Sequence, residues 1–253
     1  MSLQKRLAVN SFDKNELPLA IDNHLGLEVD EYLWPCTPDE MEEKRKHVTA
    51  LMIEGFSTFS FHGTAVSRDV AAINKLPDEK LLSIYNESYR QAYFHHIDRI
   101  VFHTNYLSGI ESQASWVGKK TIFWKEFLRD KPLALRVYLE NFIDDTPDLL
   151  GQLCDAVSDP RLRICLDTGH ARCNSSIGLM EWITELNTRI EHVHVHNNDG
   201  KTDKHWPLGK GVIPMKGILE GLLFHTNASM FVLECNLQES LLWLQQIGLT
   251  ENI

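Results

Sequence analysis

The chain has 253 residues, of which 43% are hydrophobic and 24% are charged, and its formal net charge is -10. That length and balance are typical of an ordinary soluble protein with one large core. The negative charge counts against a broad basic surface for nucleic acid, because phosphate binding draws on clustered lysine and arginine. No apolar run reaches the roughly 20 residues that cross a bilayer, so we expect a cytoplasmic protein without a membrane partner.

Apolar segments typical of strands alternate with amphipathic segments typical of helices along the chain, a pattern that predicts repeated βα units around a parallel sheet. In chain order the predicted strands are residues 6–10, 25–31, 57–62, 99–104, 134–140, 163–167, 192–196 and 230–234. The predicted helices are residues 39–54, 78–95, 112–129, 146–157, 179–188 and 216–225, and the first crossover, 14–24, is short. This order predicts an α/β fold, a single (β/α)8 TIM barrel domain over residues 1–253.

Acidic and histidine residues recur at the carboxyl ends of the predicted strands. Six ends carry one directly after an apolar residue, and others follow in two short motifs, Asp167-Thr168-Gly169-His170 and Asp203-Lys204-His205. A parallel barrel brings all its strand ends to one face, so we expect these side chains to converge. The nine candidate metal ligands are His62, His103, Glu140, Asp167, His170, His196, Asp203, His205 and Glu234.

Converging carboxylates repel each other in a poorly solvated pocket unless a cation lies between them. Carboxylate and imidazole ligands without thiolates suit zinc, manganese, iron or cobalt. The five cysteines are odd in number and lack CxxC spacing, so we expect buried reduced thiols and neither disulfides nor a thiolate zinc site. The sequence therefore predicts an enzyme with a divalent metal site at the carboxyl ends of the strands.

The longest predicted loop, 197–214, lies where a barrel places an active-site lid. It contains Asp203-x-His205-x-x-Leu208-Gly209-x-Gly211, preceded by His196-Asn197-Asn198-Asp199 and, earlier, by Asp167-x-x-His170. With these motifs the chain resembles the xylose isomerase-like TIM barrels, and within them the endonuclease IV branch (AP endonuclease family 2), from about residue 62 to residue 234. In that branch nine ligands hold three zinc ions, and each ligand has a matching residue type here.

The resemblance divides the nine residues among three zinc ions: His62, His103 and Glu140; Glu140 again with Asp167, His196 and Glu234; and His170, Asp203 and His205. Such a cluster would hydrolyse a phosphoester of a sugar-phosphate substrate, because bridged ions activate a shared water and a third offsets charge on the leaving oxygen. The candidate catalytic residues are Glu140, Glu234 and His170.

The same superfamily contains sugar and sugar-phosphate isomerases and epimerases that use one ion, such as manganese, cobalt or magnesium. In that alternative Glu140 and Glu234 would move protons on the two faces of a substrate carbon. Damaged DNA is a disfavoured substrate, because Gly63-Thr64-Ala65 replaces the bulky wedge of DNA-cleaving members and the acidic turn 141–145 would repel a phosphate backbone. Hydrolase or isomerase, the substrate, the native metals and the oligomeric state stay open.

Two histidine pairs lie outside the nine candidates. His192 and His194 alternate with His196 on one face of a predicted strand, so we expect them inside the barrel, either as buried polar residues or as residues that support or replace a ligand. His95 and His96 close a predicted helix and are interpreted as solvated.

Overall fold

The computed structural model describes residues 2–65, 67 and 70–251. Its strands are all parallel and pair in chain order, and the eighth strand closes the ring by pairing with the first. The strands are β1 (Leu7–Asn10), β2 (Gly26–Val29), β3 (Phe59–His62), β4 (Arg99–His103), β5 (Arg136–Glu140), β6 (Leu162–Asp167), β7 (Ile190–Val195) and β8 (Met230–Leu233). The predicted (β/α)8 barrel is confirmed.

Helices surround the strands. In the described chain they are α1 (Leu17–Asp22), α2 (Pro38–Leu51), α3 (Val70–Asn74), α4 (Asp78–Phe94), α5 (Gln113–Leu128), α6 (Asp148–Val157), α7 (Thr168–Asn174), α8 (Leu179–Leu186), α9 (Met215–His225) and α10 (Leu237–Gln246). All six predicted helices are present and α1 lies in the short first crossover, whereas the sequence patterns did not indicate α3, α7 or α10. Across this described part of the chain, no helix combines the length and apolar character that a membrane span requires.

Successive side chains along each strand point alternately into the barrel and outward toward the helices. Leu27 and Phe61 face outward and join helix residues in the main hydrophobic core. Ala8, Met230 and Val232 form a small separate cluster of fully buried residues, which the closed ring of strands encloses. The same inward-facing positions carry polar residues toward the carboxyl ends of the strands, and this is where the candidate ligands lie.

The strand register decides which ligands become neighbours. His103 pairs with Glu140 between β4 and β5. Between β6 and β7 the ladder shifts at Cys165, which pairs with His192. The parallel register therefore brings residues that are distant in sequence to the same height inside the barrel.

Candidate functional site

The nine predicted ligands lie together at the carboxyl ends of the strands, and the first group surrounds Glu140. Nε2 of His62 and Nε2 of His103 each lie 3.3 Å from Oε2 of Glu140. Glu140 is only 1% exposed, so its carboxylate is surrounded by these rings and not by bulk water. The fold thus assembles the predicted first group around one buried carboxylate.

Asp167 and His196 provide the centre of the second group. Oδ1 and Oδ2 of Asp167 lie 3.2 and 3.3 Å from Nε2 of His196. Oε2 of Glu234 lies 3.8 Å from Nδ1 of His205, and donor atoms of His196, His205 and Glu234 all lie within 4.8 Å of one another. The second group therefore continues into the long loop.

Asp203 brings the third group together. Its Oδ2 lies 3.4 Å from Nε2 of His170 and 3.1 Å from Nε2 of His205. Its Oδ1 lies 3.6 Å from Nε2 of His196, whose ring stacks on His205 at 3.9 Å. The third group therefore touches the second, and the nine side chains form one continuous cluster.

Main-chain carbonyl groups orient three of the histidines. Nδ1 of His62 donates to the carbonyl of the following residue over 2.9 Å, Nδ1 of His170 donates to that of Asn141 over 3.0 Å, and Nδ1 of His205 donates to that of Glu234 over 2.8 Å. Because a carbonyl only accepts, Nδ1 carries a hydrogen in each ring and Nε2 faces the cluster. Histidines that bind metal through Nε2 are held in this way.

The turn from β6 into α7 explains the Asp167-Thr168-Gly169-His170 motif. Oδ1 of Asp167 accepts the His170 main-chain N–H over 2.6 Å and so caps the first turn of α7. A Cβ on Gly169 would lie 1.8 Å from Cε1 of His196, so only glycine fits there. The Asn141 side chain donates to the carbonyl of Asp167 and accepts from its N–H, over 3.0 and 2.8 Å, which fixes the end of β6.

The side chain of Asn197 organises the long loop 197–214. Its Oδ1 accepts from the N–H groups of Asn198 and Ile213, and its Nδ2 donates to the carbonyls of Leu208 and Ile213. Gly211 has a φ of +138°, and a Cβ there would lie 2.3 Å from Asn197 Oδ1. The loop is therefore folded over the barrel on its own buried hydrogen bonds, which places its two candidate ligands.

Without a cation, protonated rings balance the acids of the cluster. Burial raises the pKa of Glu140, but the charge of His194 and of the other rings outweighs burial and holds that pKa well below its usual value. Burial lowers the pKa of His62, but its bond to Glu140 raises it to about 9. Burial likewise lowers the pKa of His205, but its bond to Asp203 raises it to about 9. A bound cation would therefore displace protons from these rings.

Sequence reasoning missed Asp30, which lines the same cavity as the ligands. It directly follows Val29 at the end of β2, so the apolar-then-acidic signal that marked the other strand ends was present here too. Burial, then the charge of Glu28, raises its pKa well above the usual value. Its Oδ1 is buried without a hydrogen-bond partner among the described residues.

The acidic turn 141–145 does not expose both of its aspartates, as its interpretation as a surface that repels phosphate requires. Asp144 is buried, and its Oδ2 accepts from Thr104 Oγ1 over 2.6 Å and from the N–H of Phe142 over 3.0 Å. Only Asp145 of the two aspartates is exposed. Asp144 therefore shapes the turn, and Phe142 carries the turn's contact with the cluster by stacking on a ligand ring at 4.8 Å.

The interpretation of His95 as solvated is wrong, whereas His96 is exposed as expected. His95 is buried, and its Nε2 lies 2.9 Å from the hydroxyl of Tyr32. Tyr32 belongs to the segment after β2, so the helix pattern around His95 could not predict this contact.

His192 and His194 lie inside the barrel as expected, both at 0% exposure. Nδ1 of His194 lies 3.2 Å from Oε1 of Glu140 and 3.4 Å from Oε1 of Glu234. His194 therefore forms the floor of the cluster.

A cavity of about 700 Å³ opens above the cluster. Its apolar wall is formed by Phe12, Leu33, Trp34, Phe142 and Leu233. Its acidic residues are Asp13, Glu16, Asp30, Glu140, Asp203 and Glu234, and the lining residues that the structure describes include no lysine or arginine. The acids, the unpaired Asp30 oxygen and the oriented imidazoles together form a donor set that fits divalent cations.

Comparisons with known proteins agree with this architecture. TTHB071 from Thermus thermophilus, in a crystal soaked with ZnCl2, superposes with a TM-score of 0.71 at 26% identity over 96% of this chain and 97% of that one. A D-tagatose 3-epimerase-like protein superposes with a TM-score of 0.70 at 17% identity over 96% and 95%. The uncharacterized protein MJ1614 of Methanocaldococcus jannaschii is 40% identical over 52 residues, so the match spans 21% of this chain and only 20% of that relative.

A family model described as xylose isomerase-like TIM barrel matches residues 26–247, which covers most of the chain and seven of the eight strands. The chain therefore belongs to the family of xylose isomerase-like TIM barrels.

Proposed function

We propose that this protein is a divalent-metal-dependent enzyme that hydrolyses a phosphoester of a small sugar-phosphate substrate at the barrel mouth. The observation that carries the proposal is the assembly of His170, Asp203 and His205, with Asp203 Oδ2 within 3.4 Å of both rings. A one-ion isomerase does not require a second set of metal ligands, whereas phosphoester cleavage needs charge stabilisation at a leaving oxygen.

The residues present fit zinc as the native ion, with up to three ions per chain. Three rings carry their hydrogen on Nδ1 and present Nε2, and no thiol lies among the nine donors. A match of 26% identity to a protein whose crystal was soaked with ZnCl2 supports this choice. Bound zinc ions would activate water and offset negative charge on phosphoryl oxygens.

The chain's own side chains give the site its selectivity. The apolar wall, with Trp34 and Phe142, offers surfaces for the carbon face of a sugar. A cavity of about 700 Å³ suits a small molecule, and the described lining has no lysine or arginine to grip a long phosphate backbone. In this proposal Glu140 and Glu234 accept or donate a proton at the substrate, and His170 helps to bind the ion that offsets charge on the leaving oxygen.

A second candidate is a one-ion sugar isomerase or epimerase, in which Glu140 and Glu234 form the acid/base pair. The observation that favours it is again the cavity lining: acids and aromatic rings without a described lysine or arginine suit an uncharged sugar. The similar fold of a D-tagatose 3-epimerase-like protein is consistent with this candidate. In this reaction manganese, cobalt or magnesium would replace zinc.

One set of variants separates the two candidates. The zinc content of the purified protein would be measured before any chelator treatment. Release of phenol from aryl phosphate mono- and diesters would then report hydrolysis, and deuterium uptake from D2O into ketoses would report isomerisation. We expect two or three zinc ions, hydrolysis, and a fall of at least 100-fold in kcat for His205→Ala. The control His225→Ala, at an exposed histidine of α9, should leave both unchanged.

The opposite pattern would establish the second candidate. Deuterium exchange that is lost in Glu234→Gln but retained in His205→Ala, with one ion per chain, would exclude hydrolysis as the reaction of this site. Glu234→Gln keeps the shape of the side chain and removes its charge, so it tests proton transfer and ion binding rather than packing.

A further inference from the structure

The mouth cavity has two sides, and only one of them carries the candidate metal ligands. The nine candidates come from β3 to β8 and from the segments that follow those strands. The ends of β1 and β2 contribute none of the nine, yet Asn10 and Asp30 at these ends line the same cavity. Phe12, Leu33 and Trp34, in the segments after β1 and β2, line it as well. A substrate that reacts at the ions would place its remaining atoms against this surface, here called the β1–β2 side.

Asp30 presents an unpaired oxygen on the β1–β2 side. Its Oδ1 is buried without a hydrogen-bond partner in the described part of the chain. Its main chain is held in place, because the N–H donates to Ser11 Oγ over 2.8 Å and the carbonyl accepts from the N–H of Leu33 over 2.9 Å. A buried polar atom of this kind costs free energy, since it has given up water without gaining a protein partner. A partner from outside the chain would remove that cost.

A cation and a substrate hydroxyl group are the two kinds of partner that fit this oxygen. The four acids among the nine candidates each have an oxygen 3.1–3.8 Å from a ring nitrogen of a candidate histidine. Asp30 forms no such pair with a described residue, so it stands apart from the network that would bind ions. Burial, followed by the charge of Glu28, raises the pKa of Asp30 well above its usual value. A neutral carboxyl group is a poor cation ligand but a good hydrogen-bond donor.

We propose that Asp30 binds a hydroxyl group of the substrate's sugar, and so selects substrates that carry this group, while Phe12, Leu33 and Trp34 contact the carbon face of the same sugar. This inference rests on the sugar-type substrate proposed above and adds the residue that recognises it. An apolar wall beside a precisely placed polar group is typical of small-molecule sites. A site built in this way rejects an analogue that lacks the hydroxyl group, because its buried polar atom is then left unpaired.

Stability and zinc content separate a substrate-binding residue from a structural one or a metal ligand. Asp30→Ala removes an unpaired oxygen, so its Tm should equal or exceed that of the unaltered protein. Asp30→Asn keeps the size of the side chain and a hydrogen-bond donor. Zinc content should be unchanged in both variants. A fall in Tm shared by both variants would assign Asp30 to the fold, and a loss of zinc would assign it to an ion, and either result would overturn the proposal.

Sugar affinity is the direct test. D-ribose 5-phosphate, D-fructose 6-phosphate and D-fructose would be mixed with the protein in a stopped-flow instrument, where quenching of tryptophan fluorescence records binding before turnover. For the sugar that binds best, we expect affinity to fall about tenfold in Asp30→Ala and to stay within about threefold in Asp30→Asn, because one hydrogen bond is lost or kept. Asp22→Ala, at an exposed aspartate that ends α1, is the matched control and should bind like the unaltered protein.

Deoxy analogues identify the hydroxyl group that Asp30 contacts. Each singly deoxygenated form of the best-bound sugar would be titrated against the unaltered protein and against Asp30→Ala. We expect one analogue to bind about tenfold more weakly than its parent to the unaltered protein, but as well as its parent to Asp30→Ala. If every analogue loses the same affinity in both proteins, or if no sugar of the panel binds the unaltered protein, the proposal is refuted.

Binding before turnover and turnover of aryl phosphates report different properties of the site. Release of phenol with equal sugar affinity in all variants would refute the role of Asp30 and leave the proposed hydrolysis intact. Sugar affinity that depends on Asp30, without release of phenol, would refute hydrolysis and support the role of Asp30.

Discussion

The substitution Gly169→Ala tests how tightly the metal cluster depends on the turn after β6. The added Cβ would lie 1.8 Å from Cε1 and 2.4 Å from both nitrogens of the His196 ring. Carbon atoms in contact are normally about 3.5–4.0 Å apart, so the ring or the turn must move by about 2 Å. The ring has little room, because it is 0% exposed and stacks on His205 at 3.9 Å.

The expected cost follows from two opposing effects. Overpacking a buried site costs about 1–3 kcal/mol, and a contact this short belongs at the upper end. Alanine in place of a helical glycine returns at most about 1 kcal/mol. We therefore expect a net loss of about 2 kcal/mol, or a fall of about 4–8 °C in Tm for a chain of this size. Displacing His196 from Asp167 should also release at least one zinc ion per chain.

Urea unfolding and elemental analysis would measure both effects, with Gly217→Ala as the control. Gly217 lies in α9, and a Cβ added there would meet open space. The free energy of unfolding of this variant should therefore rise by about 0.5–1 kcal/mol, and its metal content should stay unchanged. If Gly169→Ala matched Gly217→Ala in stability and zinc content, the reasoning about the His196 contact would be refuted.

Three further predictions concern pH, buried hydrogen bonds and cation binding. Burial lowers the pKa of His95 to about 4, so the unfolded chain takes up a proton near pH 6.5 that the fold excludes. The contribution of His95 to stability should therefore fall as the pH is lowered from 7 to 4 in urea unfolding, and His95→Gln, which does not titrate but can still bond Tyr32, should make the fall shallower than in the unaltered protein. Asn141→Ala leaves the N–H and carbonyl of Asp167 without their partner and should cost about 2–4 kcal/mol in thermal unfolding, and an unchanged Tm would contradict this. Burial lowers the pKa of His62 but its glutamate partner raises it to about 9, so zinc affinity in calorimetric titrations should rise with pH up to about 9, and a constant affinity between pH 6 and 8 would be evidence against ring deprotonation on binding.

Local sequence patterns were sufficient for the barrel and for the mouth cluster. Strand-like segments ending in an acid or a histidine place the side chain at the carboxyl end whatever the details of packing, because every strand of a parallel barrel points the same way. His62, Glu140 and Glu234 illustrate this, and so does Asp30, whose position after Val29 carried the same signal. Of the three helices that the sequence patterns did not indicate, α7 was missed because its sequence is short and begins with a threonine and a glycine, and its start depends on a cap from Asp167.

Other features depend on residues far apart in the chain, and only the tertiary structure decided them. His95 is buried by Tyr32, 63 positions away, and Asp144 is turned inward by Thr104, 40 positions away. The hydrogen bond between Glu28 and His192 inside the barrel is the clearest case, since 164 positions separate the two residues.

The sequence by itself determined which side chains stand at the strand ends, because the two-residue period of a strand and the common direction of parallel strands are local properties. The closure of the barrel decided which of them meet, because β8 pairs with β1 and the register across β6 and β7 shifts at Cys165. Proximity inside a closed ring is set by register and shear, and these emerge only when all the strands pack together.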